Sequence, residues 1–235
     1  MNTYSSLSQN AALVKTNAFI RSVYNWMAIG LGLTGLTAYY VAHDPAMQKI
    51  IYTTPGLMII LIIAELGFVF FLSARIQKIQ ASTATALFTI YSVLNGVTLS
   101  IIFMIYTQSS IVSTFGICSI TFLACSVYGM TTKKDLTSMG GFMMMGLIGI
   151  IIASVVNMFL HSSGMQLIIS YVGVIVFVGL TAYDTQKLKT MSLTMPDNAT
   201  GAMVRKGAIM GALTLYLDFI NLFIMLLHIF GGRRS

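Results

Sequence analysis

Charge is scarce in this chain. Only 8% of its 235 residues are charged and six are acidic, whereas an average soluble domain carries about 25% charged residues. That shortage excludes an ordinary soluble fold. Cysteine is nearly absent too: Cys118 and Cys125 lie seven apart in one apolar run. On a helix they share a face about 10 Å apart, too far to bridge each other, so they read as small packing residues. No His-Glu-x-x-His and no Gly-x-Ser-x-Gly occurs, which removes two hydrolase chemistries. No lysine lies between Gly207 and Phe230, so a retinal-type Schiff base has no anchor in the last run. The alternation of a β-barrel is missing, which leaves helices as the spanning option. No small-x-small cleavage site follows the first apolar run, so that run is expected to stay as an uncleaved span. Neither a soluble domain nor an internal repeat is visible.

What is present is apolar: 57% hydrophobic residues and a mean hydropathy of +0.86. Runs near 20 residues, the length a spanning helix needs, fall at 24–42, 55–73, 84–106, 111–130, 140–160, 165–183 and 207–230. The expectation is one all-α multi-pass membrane domain of seven transmembrane helices, preceded by a polar cytoplasmic tail at 1–18. Links as short as Thr107–Ser110 and His161–Gly164 force antiparallel neighbours. The longest link, Asp184 to Lys206, contains the turn signal Pro196-Asp197-Asn198. Ten of the thirteen basic residues fall on the side of Lys15, Arg75, Lys133 and Lys187. This bias places the amino terminus in the cytoplasm. It also explains the net charge of +7 without nucleic acid, which would need a basic face on a soluble fold. Arg233 and Arg234 pull against an external carboxyl terminus, so a re-entrant last segment stays open as an alternative.

Three acids interrupt the apolar runs: Glu65, Asp184 and Asp218. A charged residue at the bilayer centre costs about 2.5–3.5 kcal/mol on insertion scales, which makes these the candidate functional groups. Asp184 ends the sixth run, where solvation or pairing with Lys187 is the plainer alternative. Glu65 lies well inside the second run, about 15 Å along the helix from Arg75. Arg75 closes that run at a depth from which its fork could hold a carboxylate, although an ordinary cytoplasmic anchor would look the same. In the last run, Gly207, Gly211, Thr214, Asp218, Asn221, Met225 and His228 recur at helical spacing as one small and polar face. The Gly207-x-x-x-Gly211 pair suits close helix packing. The stripe is expected to face a protein interior or a wet cavity, with a packing seam as the alternative. Thr85, Thr89, Ser92 and Gly96 form a similar stripe in the third run, beside Asn95, and read mainly as interhelical glue.

The chain resembles the transmembrane Bax inhibitor motif family, in particular its bacterial members, over nearly its whole length. The most specific segments are Leu180-Thr181-Ala182-Tyr183-Asp184-Thr185-Gln186 and Gly211-Ala212-Leu213-Thr214-Leu215-Tyr216-Leu217-Asp218-Phe219-Ile220-Asn221-Leu222-Phe223. Tyr24-Asn25-Trp26-Met27-Ala28-Ile29-Gly30-Leu31 and Tyr91-Ser92-Val93-Leu94-Asn95-Gly96 are similar too. The resemblance implies a last helix enclosed by the other six. It implies that Asp184 and Asp218 face each other and share a proton, with Arg75 tied to them in one conformer. It further implies a pH-dependent calcium leak, a bacterial cytoplasmic membrane, and arginine at the place His228 occupies here.

The mechanism expected from this is a latch. Close carboxylates cannot both ionise cheaply and titrate as a pair. A shared proton, with Arg75, would hold helices six and seven together. Its loss would loosen them, Asp184 and Asp218 would offer calcium the hard oxygens it prefers, and Glu65, Thr214 and Asn221 would line the path. An enzyme is not expected. Tyr183-Asp184 fits an intramembrane aspartyl protease, but Leu215-Tyr216-Leu217-Asp218 lacks the Gly-x-Gly-Asp glycines. No cofactor is expected; calcium and protons are the expected cargo. The rival reading is a non-transporting regulator that binds a membrane-bound protease or stress-response complex through its polar tail.

Overall fold

The computed structural model describes the backbone of residues 3–196 and 198–234, and side chains from residue 14 onwards within those ranges. Among the described residues the elements are helices: α1 (Thr3–His43), α2 (Pro45–Thr53), α3 (Leu57–Arg75), α4 (Ala81–Leu99), α5 (Ile102–Ile105), α6 (Gln108–Thr131), α7 (Thr137–Leu160), α8 (Ser163–Leu193) and α9 (Gly201–Phe230). Among the described residues six segments are long and apolar enough to cross a membrane: α3, Ala81–Ile105, α6, α7, α8 and α9. The expected first span, 24–42, lies inside α1. Asn25, Thr34, Thr37, Tyr39 and Tyr40 dilute its apolar character, and α1 is not among the six.

Three element ends differ from expectation. The run at 84–106 divides after Leu99, where the Ser100 hydroxyl donates to the Val97 carbonyl at 2.6 Å and meets the Tyr52 hydroxyl at 2.7 Å. Helix α8 continues to Leu193, so Asp184 stands in a helix interior and does not close one. Leu188 and Ser192 stay buried in that extension, which explains it: hydropathy marks where a helix leaves the apolar layer, not where its packing ends. Since α9 already begins at Gly201, the long link shrinks to 194–200. Within the expected turn there, Asp197 lies outside the described residues. The polar tail is helical from Thr3.

The chain divides into two compact units. The first holds residues up to Ile105 and 190–213. Here α1 packs along α4, because both helices offer glycine at the crossing. A Cβ at Gly30 would come 2.7 Å from the Phe88 ring, and one at Gly96 would come 2.7 Å from the Thr34 carbonyl oxygen. The third-run stripe is this seam: Thr85, Thr89 and Ser92 donate to their own helix one turn back, and Thr34 donates to the Ser92 carbonyl at 2.8 Å. Asp44 caps α2 by accepting from the Ala46 and Met47 amides, with Pro45 pre-set for the first turn.

The second unit holds Tyr106–Lys189 and 214–235. Its core gathers Cys118, Phe122, Phe177, Leu180, Leu215, Tyr216, Phe219 and Leu222. Both cysteines are free, and the buried Cys118 thiol donates to the Phe219 carbonyl at 3.7 Å. The carboxyl-terminal segment is tied to the start of α6: the Thr107 amide donates to the Gly232 carbonyl at 3.0 Å, and the Gly232 amide to the Ser110 hydroxyl at 2.9 Å.

Candidate functional site: a buried carboxyl pair

Helices α8 and α9 run antiparallel in the second unit. Met225 fills the space that Gly173 leaves, and His228 Nδ1 lies 3.4 Å from both the Ser170 hydroxyl and the Gln166 amide nitrogen. The same register sets Asp184 of α8 beside Asp218 of α9. Their carboxyl groups are hydrogen-bonded to each other. A carboxylate can only accept, so such a bond requires a proton on one of the two. Asp184 is 8% exposed and Asp218 5%, and the second Asp218 oxygen, Oδ2, is buried without a hydrogen-bond partner. Lys187, one turn along α8, supplies the nearby positive charge. Burial in low dielectric strengthens both the attraction of a shared proton and the repulsion that would follow its loss.

The rest of the stripe divides. Asn221 donates to its own Leu217 carbonyl at 2.8 Å, so part of its polarity is spent along the helix. Thr214 is half-buried. Met225 and His228 belong to the α8 seam. Gly207 and Gly211 belong to the first unit, where Gly207 sits against Met191 and Phe19. Arg75 also belongs to the first unit and ends α3 with its side chain exposed.

Glu65, also in the first unit, forms a second polar centre at the middle of α3. That helix is otherwise turned outward, with Leu72 its buried residue. The Glu65 carboxylate accepts from Thr98 Oγ1 at 2.8 Å and Asn95 Nδ2 at 3.3 Å. Thr98 escaped the sequence reading. The signal was available, because it lies one helical turn from Asn95 on the same face.

Two further residues near the pair were missed. Gln186 accepts from the Leu136 amide and donates to the Lys134 carbonyl, both at 2.8 Å, and Lys189 donates to the Met130 carbonyl at 2.7 Å. Together they fasten the α6–α7 connection to the turn of α8 that follows Asp184. Among the described residues, no group of three or more His, Cys, Asp or Glu is placed to hold a metal ion.

Six membrane-length apolar helices, with paired acids on the last two, define a polytopic α-helical membrane protein. The model of the family described as Inhibitor of apoptosis-promoting Bax1 matches residues 16–235. The chain is 52% identical over 216 residues to Inner membrane protein YbhL of Escherichia coli (strain K12), covering 92% of each chain. It is 48% identical to a protein of Borreliella burgdorferi, covering 93% of this chain and 94% of that one, and 44% identical to the protein RP147 of Rickettsia prowazekii, covering 92% and 90%. The chain belongs to this Bax inhibitor-1-like family.

Proposed function

We propose that this protein is a pH-sensitive calcium-leak channel of a bacterial inner membrane, gated by the proton that Asp184 and Asp218 share. The observation that carries the reading is the carboxyl–carboxyl hydrogen bond between two buried aspartates on adjacent helices. With the proton present, the bond holds α8 against α9. As cytoplasmic pH rises and the proton leaves, two like charges face each other in a poorly solvated place and push the helices apart. The freed oxygens then suit calcium in transit. Lys187 beside the pair moderates the repulsion, and Arg75 is the cation that the family resemblance ties to the pair in one conformer. Thr214, Asn221 and Glu65 are the assigned path.

The proposed topology has seven spans, counting the 24–42 segment of α1, with the amino terminus in the cytoplasm and α9 enclosed by the others. Burial favours that place for α9: 56% of its membrane window is buried, against 6–44% for the other five. A crossing α9 also fits better than a re-entrant one, because its far end meets the first turns of α8 and the chain then bonds to Thr107 and Ser110. The relative named as an inner membrane protein supports the compartment.

The test is calcium flux in proteoliposomes with pH varied on each side. Flux should rise as cytoplasmic-side pH rises, and Asp218→Asn should remove that dependence. Retained dependence in Asp218→Asn would reject the gate.

The regulator reading has one observation in its favour. A cavity of about 280 Å³ in the first unit, lined by Lys15, Phe19, Met195 and Val204 among others, borders the amino-terminal part of α1. It is the size of a few side chains of a partner. Deleting 1–17 separates the readings: a channel still conducts, whereas a regulator loses its partner.

A further inference from the structure

A second, larger cavity lies in the second unit at the α7–α8 turn, far along the helices from the aspartates. Its volume is about 630 Å³, and Asn157, His161, Ser162, Ser163, Gln166 and Arg233 supply its polar wall. Among the described residues lining it none is acidic. The three acids of this unit are remote: Asp135 precedes α7, whose start at Thr137 lies about 30 Å from Asn157, and Asp184, with Asp218 beside it, lies about 27 Å from Gln166 along α8, at 1.5 Å per residue. Among the described lining residues Arg233 carries the one permanent charge, and it favours an anion.

The wall is built and held. Arg233 pairs in a bridge with Tyr106 and hydrogen-bonds to its hydroxyl. The adjoining Gly232 is fastened at both its amide and its carbonyl. Asn157, only 8% exposed, accepts from the Ser162 amide at 3.1 Å and reaches Gln166 Oε1 at 3.5 Å. The first turn of α8 contributes little by itself, since the Met165 amide already donates to the Ser162 hydroxyl. The guanidinium is the charge that matters, and its planar fork matches two oxygens of a phosphate.

Next to the cavity the last turn of α7 is bare and apolar: Met158, Phe159 and Leu160 are 64%, 75% and 60% exposed. A polar anion site at the end of two membrane-length helices, with apolar side chains running away from it, has the layout of a lipid headgroup and its chains. We propose that this cavity binds a phosphate group presented by an anionic phospholipid. The inference is independent of the aspartate gate.

The experiment uses the full chain in detergent with dioleoylphosphatidylglycerol, dioleoylphosphatidylcholine and inorganic phosphate as probes. Native mass spectrometry reads retained lipid, and phosphorus NMR reads bound phosphate. Wild type should retain phosphatidylglycerol over phosphatidylcholine. Arg233→Gln should lower that retention about tenfold, the effect of losing one charge-assisted contact of about 1.4 kcal/mol, while Arg234→Gln leaves it unchanged. Ser163→Trp fills the cavity without altering Arg233 and should lower retention too, which keeps the test valid if Arg233→Gln fails to fold. Binding of inorganic phosphate that both variants lose, without lipid preference, would support the phosphate site and overturn its lipid source. Equal retention in all variants, or a loss matched by Arg234→Gln, would overturn the site.

Discussion

Two glycines set how closely the neighbours of α8 can approach it. A Cβ at Gly129 of α6 would lie 2.3 Å from the Ala182 carbonyl oxygen, and one at Gly140 of α7 would lie 2.4 Å from the Tyr183 ring. The first obstacle is backbone and cannot swing aside. Gly129→Ala should therefore destabilise the protein by about 1–3 kcal/mol, the usual cost of overpacking. In the same helix Gly116 has open space around its Cβ position, so Gly116→Ala should be neutral or stabilising by up to about 1 kcal/mol. Thermal unfolding in detergent ranks the two. Asp184 and Asp218 were legible in the sequence because an acid in an apolar run is costly and stands out. Gly129 and Gly140 were not, because a glycine's importance depends on what packs against it, and twenty glycines look alike in one dimension.

Between elements, short polar contacts decide which helices stay together. The Thr98 hydroxyl bond to Glu65 joins α4 to the outward-facing α3, and a side-chain hydrogen bond contributes about 0.5–1.5 kcal/mol. A double-mutant cycle of Thr98→Val and Glu65→Leu, each of which removes the bond, should return a coupling of that order; zero coupling would mean the helices hold by apolar packing alone. The α6–α7 connection has its own acid response. Asp135 accepts from the Thr137 amide at 2.9 Å and its hydroxyl at 2.6 Å, and these bonds hold its carboxyl below the usual aspartate range. Its support is thus complete above the ordinary aspartate value and is lost only as pH falls through the lowered folded value. The hydrogen-exchange protection factor of the Thr137 amide should stay constant from neutral to mildly acidic pH and fall only in strong acid. Asp135→Asn should remove that step without touching the buried pair. Hydropathy located α6 and α7 to within three residues at each end. It cut α8 short by ten, because Lys187, Lys189 and Gln186 lower the average there while the bonds of Gln186 and Lys189 to the residues from Met130 to Leu136 keep the helix going.

At the scale of the chain, sequence and structure divide the labour. Among the described residues six apolar segments are plain from composition, since about 20 mostly apolar residues in a row have few other fates. The 24–42 segment is the exception, its threonines serving contacts with α4 at the expense of hydropathy. Sidedness rests on the basic bias, and cysteine accessibility checks it. In a background lacking Cys118 and Cys125, Lys133→Cys should react with an impermeant reagent only from the cytoplasmic side, and Arg234→Cys only from the opposite side. Reaction of both from one face would rule out the odd number of crossings.

The fastening of Lys134 and Leu136 by Gln186 has a mechanical corollary. Gln186 lies two residues beyond Asp184 on a rigid rod, so any swivel of that rod that parts the acids must either pull the attached connection along or snap two backbone links. Either way the disturbance surfaces in water. A fluorophore on position 133 would then serve as a remote dial for an event hidden in oil, and swapping Gln186 for alanine would uncouple the needle from the gear.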